Sequence, residues 1–203
     1  DVSILDEQVQ FLESRPLAKE EHSYYDMPIR SDQSATLYEH CVRAIDFGLQ
    51  FGQHGLPLMG AGDWNDGMNM VGIQGKGESI WLAFFLYDTL IRFSKIAMLR
   101  QDHAFVAICD TQAKLLKRNI KLHGWDGEWY LRGYTDDGSK VGSHECKEGM
   151  MFSETQAWSI MAGLTPERWN TVEASIQKHL MTDYGMIVCT PAFKTYDKRF
   201  GRI

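Results

Sequence analysis

The sequence predicts an all-α fold, with paired helices joined by long loops at one end in the manner of an α/α toroid. Three observations predict it. Helical hydrophobic spacing recurs in five segments. No strand–helix–strand alternation appears along the chain. Two long loops rich in glycine and aromatic residues separate the helices, and loops of that length inside compact domains are usually functional.

Taken in order, residues 1–32 read as irregular and polar, with Pro16 and Pro28 as breakers. Ser31 or Ser34 is placed to cap a helix over about 35–51, where Leu37, Cys41, Ala44, Ile45 and Leu49 fall at helical spacing. Residues 52–77 form a glycine-studded loop. A strong helix follows over about 78–100, and another over about 102–121 carries Phe105, Ile108, Ala113, Leu115, Leu116 and Ile120. The second aromatic loop, 124–130, leads through Arg132 and Tyr134 to Asp136-Asp137-Gly138, a turn that predicts a short hairpin. A helix over 154–161 comes next. Thr165-Pro166-Glu167 then supplies a cap, a first-position proline and an acid for a helix to about 181. Residues 185–190 read as a short strand or extended segment. The chain shows neither low-complexity segments nor an exact internal repeat.

Bulk properties bound the function. A chain of 203 residues suffices for one ordinary domain, and 44% hydrophobic with 24% charged residues is close to the globular average. A net charge of −6 argues against a nucleic-acid partner. The six tryptophans fit a carbohydrate enzyme and a large core equally well. Cys41, Cys109, Cys146 and Cys189 have no metal-type spacing, so free thiols in a reducing compartment are expected. With no signal peptide visible, a cytoplasmic location is expected. The most apolar stretch, 79–99, is interrupted by Asp88, Arg92 and Lys95. It reads as a buried helix, with no membrane partner. The chain starts at Asp1 without Met, and it is expected to be a piece of a longer multidomain chain.

The most informative segment is Gly62-Asp63-Trp64-Asn65-Asp66-Gly67-Met68-Asn69. Two acids, an indole and an amide are packed between glycines. Buried Asp is costly unless paired. A site that grips a sugar needs these groups: aromatic faces stack on pyranose C–H surfaces, amides and carboxylates bind hydroxyls, and a carboxyl held neutral serves as general acid.

Other patterns fail on inspection. Asp63-x-Asn65-Asp66-Gly67 has its glycine one position early for a calcium loop, and Gln74 stands where the bidentate Glu belongs. Gly72-x-x-Gly75-Lys76-Gly77 is too short for a phosphate loop and lacks the hydroxyl after Lys76. The histidines at 22, 40, 54, 103, 123, 144 and 179 form no zinc motif, no nucleophile elbow occurs, and no metal is expected. Trp125, Asp126, Glu128 and Trp129 alternate indole and acid again and read as sugar contacts. Residues 142–149, including His144 and Glu145, read equally as a solvated turn or as a loop lining the same cleft.

Together, Gly55-Leu56-Pro57-Leu58-Met59-Gly60-Ala61-Gly62-Asp63-Trp64-Asn65-Asp66-Gly67-Met68-Asn69, Gly77-Glu78-Ser79-Ile80-Trp81-Leu82, Tyr38-Glu39-His40-Cys41, Trp125 to Tyr130 and Gly142-Ser143 resemble the signature of glycoside hydrolase family 94. The resemblance covers nearly the whole chain. It implies an inverting phosphorylase of β-linked gluco-oligosaccharides, or the phosphorylase-like region of a cyclic β-1,2-glucan synthase. It implies that residues 1–203 are a single partial (α/α)6-barrel catalytic domain with long catalytic loops. Carried over by motif, Asp66 is the general acid, its carboxyl raised by burial and by nearby Asp63. Trp64 and Asn65 sit at the donor sugar. Asp63, Trp125, Asp126, Glu145 and Arg202 complete the expected substrate contacts. Arg202 stands where cellobiose-acting members carry an acid, and the Met59 to Asn69 segment looks closer to members acting on 1,2-β-glucans. Inorganic phosphate is the expected co-substrate, with no other cofactor; its family ligands lie outside this chain. A homodimer is expected for the full-length protein. A sugar-binding remnant without turnover and an inverting hydrolase remain as alternatives.

Overall fold

The computed structural model describes residues 2–18, 21 and 24–203, which fall into two compact units, Asp1–Gly48 and Leu49–Ile203.

In the first unit a 3₁₀ turn, Ser3–Asp6, leads into β1 (Gln8–Glu13), which pairs antiparallel with β2 (Ile29–Thr36). Helix α1 (Leu37–Gly48) follows directly. This hairpin corrects the expectation of irregular structure over 1–32; residues 1, 19–20 and 22–23 of that stretch lie outside the described residues. The hairpin was hidden because β2 reads Ile-Arg-Ser-Asp-Gln-Ser-Ala-Thr and buries only Ser31 and Ala35, too little for a hydrophobic alternation. Ser31 and Ser34 therefore lie within a strand. The α1 cap is instead a capping box: Thr36 N–H donates to Glu39 Oε2 at 2.8 Å and Glu39 N–H donates to Thr36 Oγ1 at 3.2 Å. Phe11 of β1 stacks on His40 of α1 at 4.0 Å, with Arg43 4.6 Å over the Phe11 ring.

In the second unit α2 (Ile80–Leu99) and α3 (His103–His123) pack as a pair. Ser79 caps α2 by accepting from Leu82 N–H, and Asp102 caps α3 by accepting from Phe105 N–H, each at 3.0 Å. Phe105, Cys109, Ala113, Leu116 and Ile120 put the buried stripe of α3 at helical period against Phe84, Leu90, Phe93 and Ala97 of α2. Next come α4 (Ser153–Met161), a 3₁₀ turn Pro166–Arg168 and α5 (Trp169–His179). Between and after the helices lie two-residue strands. β3 (Glu78–Ser79), β4 (Gly133–Tyr134) and β5 (Lys140–Val141) make one sheet in that order, with β4–β5 as the expected hairpin. β6 (Met151–Phe152) pairs with β9 (Cys189–Thr190), and β7 (Met181–Thr182) with β8 (Gly185–Met186).

The all-α expectation is thereby corrected. The chain is a mixed helix-and-sheet structure, about 40% helical and 17% strand, with several small sheets. Two-residue strands are too short to show a period of two, so helical spacing dominated the sequence pattern. No helix of the described residues is long and apolar enough to cross a membrane.

Candidate active site

The loop between α1 and β3 is held at many points. Met59 N–H donates to Gly77 O at 2.8 Å, and Ser79 N–H to Pro57 O at 2.9 Å. One carboxylate, Asp136 in the β4–β5 turn, accepts the N–H groups of Gln74 (2.8 Å), Lys76 (2.9 Å) and Gly77 (2.9 Å). Met59, Met68 and Val71 sink into a core cluster with Val141, Phe152 and Phe200. A segment pinned by its apolar residues presents its polar ones on a firm base.

Within it, residues 62–69 form a compact turn. Asn65 N–H donates to Asp63 Oδ1, and Gly67 N–H to Asn65 Oδ1, both at 3.0 Å. Gly62 sits at φ +117°, and a Cβ there would lie 3.1 Å from Asp66 Cα. Only glycine lets the turn close under Asp66.

Asp63 is built into the fold. Its side chain and that of Arg132 have no exposed surface. Arg132 clamps it with Nη1 to Oδ2 at 2.7 Å and Nη2 to Oδ1 at 2.6 Å. Ser79 Oγ adds a third donor at 2.6 Å, so the α2 cap is also tied to the loop. Burial alone would raise the Asp63 carboxyl; the paired guanidinium and Ser79 outweigh it and hold the group below its ordinary value. Arg132 Nε donates to Glu154 Oε1 of α4 at 2.8 Å. Burial pushes Glu154 above its ordinary value, with Arg132 acting the other way.

Asp66 and Trp64, by contrast, are exposed, Trp64 to 66%. The burial of Asp66 expected from the sequence is absent in these residues, and neighbouring Asp63 faces Arg132. The Trp64 ring lies 6.3 Å from that of Trp81, which stacks on Phe85 at 5.6 Å. Asn65 is half-buried, its carbonyl spent on the turn. Arg202 is brought to the same place: its N–H donates to Gly67 O at 2.7 Å, while Phe200 O accepts from Met70 N–H at 3.2 Å.

Of the remaining expected residues, Asp126 and Glu145 form a second cluster, and Trp125 packs separately against Tyr130 and Arg168. Asp126, whose side chain is 3% exposed, accepts from His144 N–H and pairs with His144 Nδ1, both at 2.7 Å. Lys140 lies 3.8 Å from Asp126 and 3.1 Å from Glu145, joining the two acids. Trp125 is half-buried beneath the Arg168 guanidinium, 4.6 Å from its ring. The β4–β5 hairpin links the clusters, since Arg132 precedes β4 and Lys140 opens β5. Glu145 and Lys140 line a cavity of about 690 Å³ with Cys146, Lys147, Phe193 and Arg199. A second, of about 410 Å³, lies beside His54, Glu78 and Tyr134. Asp66 lines neither. Among the described residues no His, Cys, Asp or Glu group is arranged to hold a metal ion.

Arg132, Ser79 and Glu154 were not singled out as site residues from sequence. The signal was there: a lone Arg inside Tyr130-Leu131-Arg132-Gly133-Tyr134 needs a buried acid as its partner.

Residues 1–203 match the glycosyl hydrolase 94 superfamily, catalytic domain. The chain belongs to that family. It is 42% identical over 161 residues to the cyclic β-(1,2)-glucan synthase NdvB of Rhizobium meliloti, covering 79% of this chain and 6% of that protein. It is 33% identical over 180 residues to the solabiose phosphorylase of Paenibacillus borealis, covering 87% and 23%. It is 36% identical over 175 residues to the 3-O-β-D-glucopyranosyl-β-D-glucuronide phosphorylase of the same organism, covering 85% and 23%. The chain thus spans less than a quarter of these relatives.

Proposed function

We propose that the full-length protein is an inverting phosphorylase of β-linked gluco-oligosaccharides. Asp66 protonates the glycosidic oxygen while inorganic phosphate attacks the anomeric carbon from the opposite face. The products are an α-glucose 1-phosphate and a shortened sugar. Phosphate is the co-substrate and no other cofactor is invoked. Trp64 offers an exposed ring face for the donor sugar, and Arg202, at the edge of the same turn, is a candidate acceptor contact.

One observation carries this reading: of the two acids in the turn, Asp63 is consumed by Arg132 and Ser79, and only Asp66 is presented outward. An inverting hydrolase needs a second carboxylate free to activate water. A phosphorylase needs only the acid, because phosphate is itself the nucleophile. The phosphorylase relatives support the same class. These relatives are named for different sugars, so the linkage is a matter for experiment.

A second reading is favoured by the 42% identity to a cyclic β-(1,2)-glucan synthase. In it, the chain is the phosphorylase-like region of such a synthase, and the 1,2-β linkage is the preferred one. A panel of β-linked glucose disaccharides incubated with the full-length protein, with and without phosphate, separates these readings. The first predicts phosphate-dependent glucose 1-phosphate. The second predicts activity confined to 1,2-β-glucan. Cleavage in phosphate-free buffer would contradict the phosphorylase reading.

A further inference from the structure

The buried network behind the catalytic turn holds one cation and two carboxyls. Arg132 directs both terminal nitrogens to Asp63 and its Nε to Glu154 Oε1. The two acids are used differently. Both oxygens of Asp63 are saturated: Oδ1 by Arg132 and Asn65 N–H, Oδ2 by Arg132 and Ser79. That is the environment of an ionised, acceptor-only carboxylate. The Glu154 side chain is 10% exposed, and its Oε2 is buried with no hydrogen-bond partner, donor or acceptor. A carboxylate spreads its charge over both oxygens, so a buried oxygen without partners costs less in a neutral carboxyl, which leaves one hydroxyl unpaired, than in an anion. The charge count agrees, because Asp63 already neutralises Arg132 and a second buried anion would stand alone. The titratable groups that act on Glu154 are Arg132 beside β4, Asp63 in the turn and Cys189 of β9, and none supplies another positive charge.

We propose that Glu154 is a positioning residue that carries a proton on Oε2, and that in this neutral form it orients Arg132 so that the guanidinium clamps Asp63 and sets Asp66. Burial favours the neutral form, and the nearby Asp63 charge adds to it. Loss of that proton creates a competing anion on the Arg132 Nε side. The guanidinium is then drawn from Asp63, and the turn that carries Asp66 loosens. This assignment rests on Asp66 being the general acid for its kinetic part, and on the network alone for its spectroscopic part.

The test uses the full-length protein with Glu154→Gln and Glu154→Ala. Glutamine keeps the shape, accepts from Arg132 Nε and cannot ionise. Glu154→Ala is expected to lower kcat for phosphorolysis about ten-fold or more, as misplaced catalytic groups do, with the KM for phosphate little changed. Glu154→Gln is expected to restore most of that loss and to flatten the alkaline limb of the kcat profile. Independently of activity, difference infrared spectra of wild type against Glu154→Gln at neutral pH should show a carboxylic-acid carbonyl band unique to wild type. A carboxylate band in its place overturns the proposal even if the protein is no phosphorylase. So does a Gln variant as impaired as the Ala variant, or one that fails to fold. An infrared band as expected, with no phosphorolysis in any variant, leaves the network assignment standing and removes the catalytic reading instead.

Discussion

Asp66 and Asp63 lie three positions apart and meet opposite environments. Asp66 is exposed and Asp63 has no exposed side-chain surface. The two are therefore expected to fail differently on substitution. Asp66→Asn should lower kcat by about 10²–10⁴-fold, the usual contribution of a general acid. Its unfolding midpoint should not move, since exposed substitutions rarely shift stability by more than about 0.5 kcal/mol. Arg132→Met leaves Asp63 buried without its cation and should cost about 3–5 kcal/mol in urea unfolding.

That cost has a pH dependence with a definite sign. Asp63 is held below its ordinary value when folded, and in the unfolded chain an Asp titrates near about 3.9. Its contribution is thus fully present above the unfolded value and is lost as pH falls through the lower folded one. The stability gap between wild type and Arg132→Met should shrink on acidification below about pH 4. Glu154 acts in the opposite sense. Its contribution is full below an unfolded value of about 4.3 and is lost as pH rises through the raised folded one.

At the scale of elements, the helices were legible and the strands only in part: the β4–β5 hairpin and the extended 185–190 segment were expected, β1 and β2 were not. Hydrophobic spacing announced α2 and α3, whose stripe from Phe105 to Ile120 repeats often enough to be read, while their caps, Ser79 and Asp102, emerged in the structure. The β1–β2 hairpin escaped because a strand reading Arg-Ser-Asp-Gln-Ser carries almost no apolar alternation. Asp136-Asp137-Gly138 did announce the β4–β5 turn, but its second use was hidden: Asp136 reaches back about sixty residues to three loop amides. Long-range contacts of this kind leave no local pattern. Asp136→Ala should release that end of the loop, with faster amide exchange at Gln74, Lys76 and Gly77 while α2 and α3 stay protected. Thr36→Ala, which removes the α1 capping box, should cost about 1 kcal/mol and leave phosphorolysis unaffected.

Across the whole molecule, the candidate site was legible as a motif and not as an arrangement. Residues 62–69 stood out because acid, indole and amide crowd between glycines. That one of those acids is a strut required knowing where Arg132 lies, and its sequence distance of sixty-nine positions conceals it. The chain divides into two compact units and spans less than a quarter of its phosphorylase relatives. The phosphorolysis proposed above is therefore a property to be measured on the full-length protein.

The most direct measurement is glucose 1-phosphate formation by the full-length protein from β-linked glucose disaccharides, with and without phosphate, in wild type and Asp66→Asn. The predicted result is sugar phosphate from wild type only when phosphate is present, and near-complete loss in a folded Asp66→Asn. Cleavage that proceeds without phosphate, or an Asp66→Asn protein that turns over as wild type does, would contradict the account.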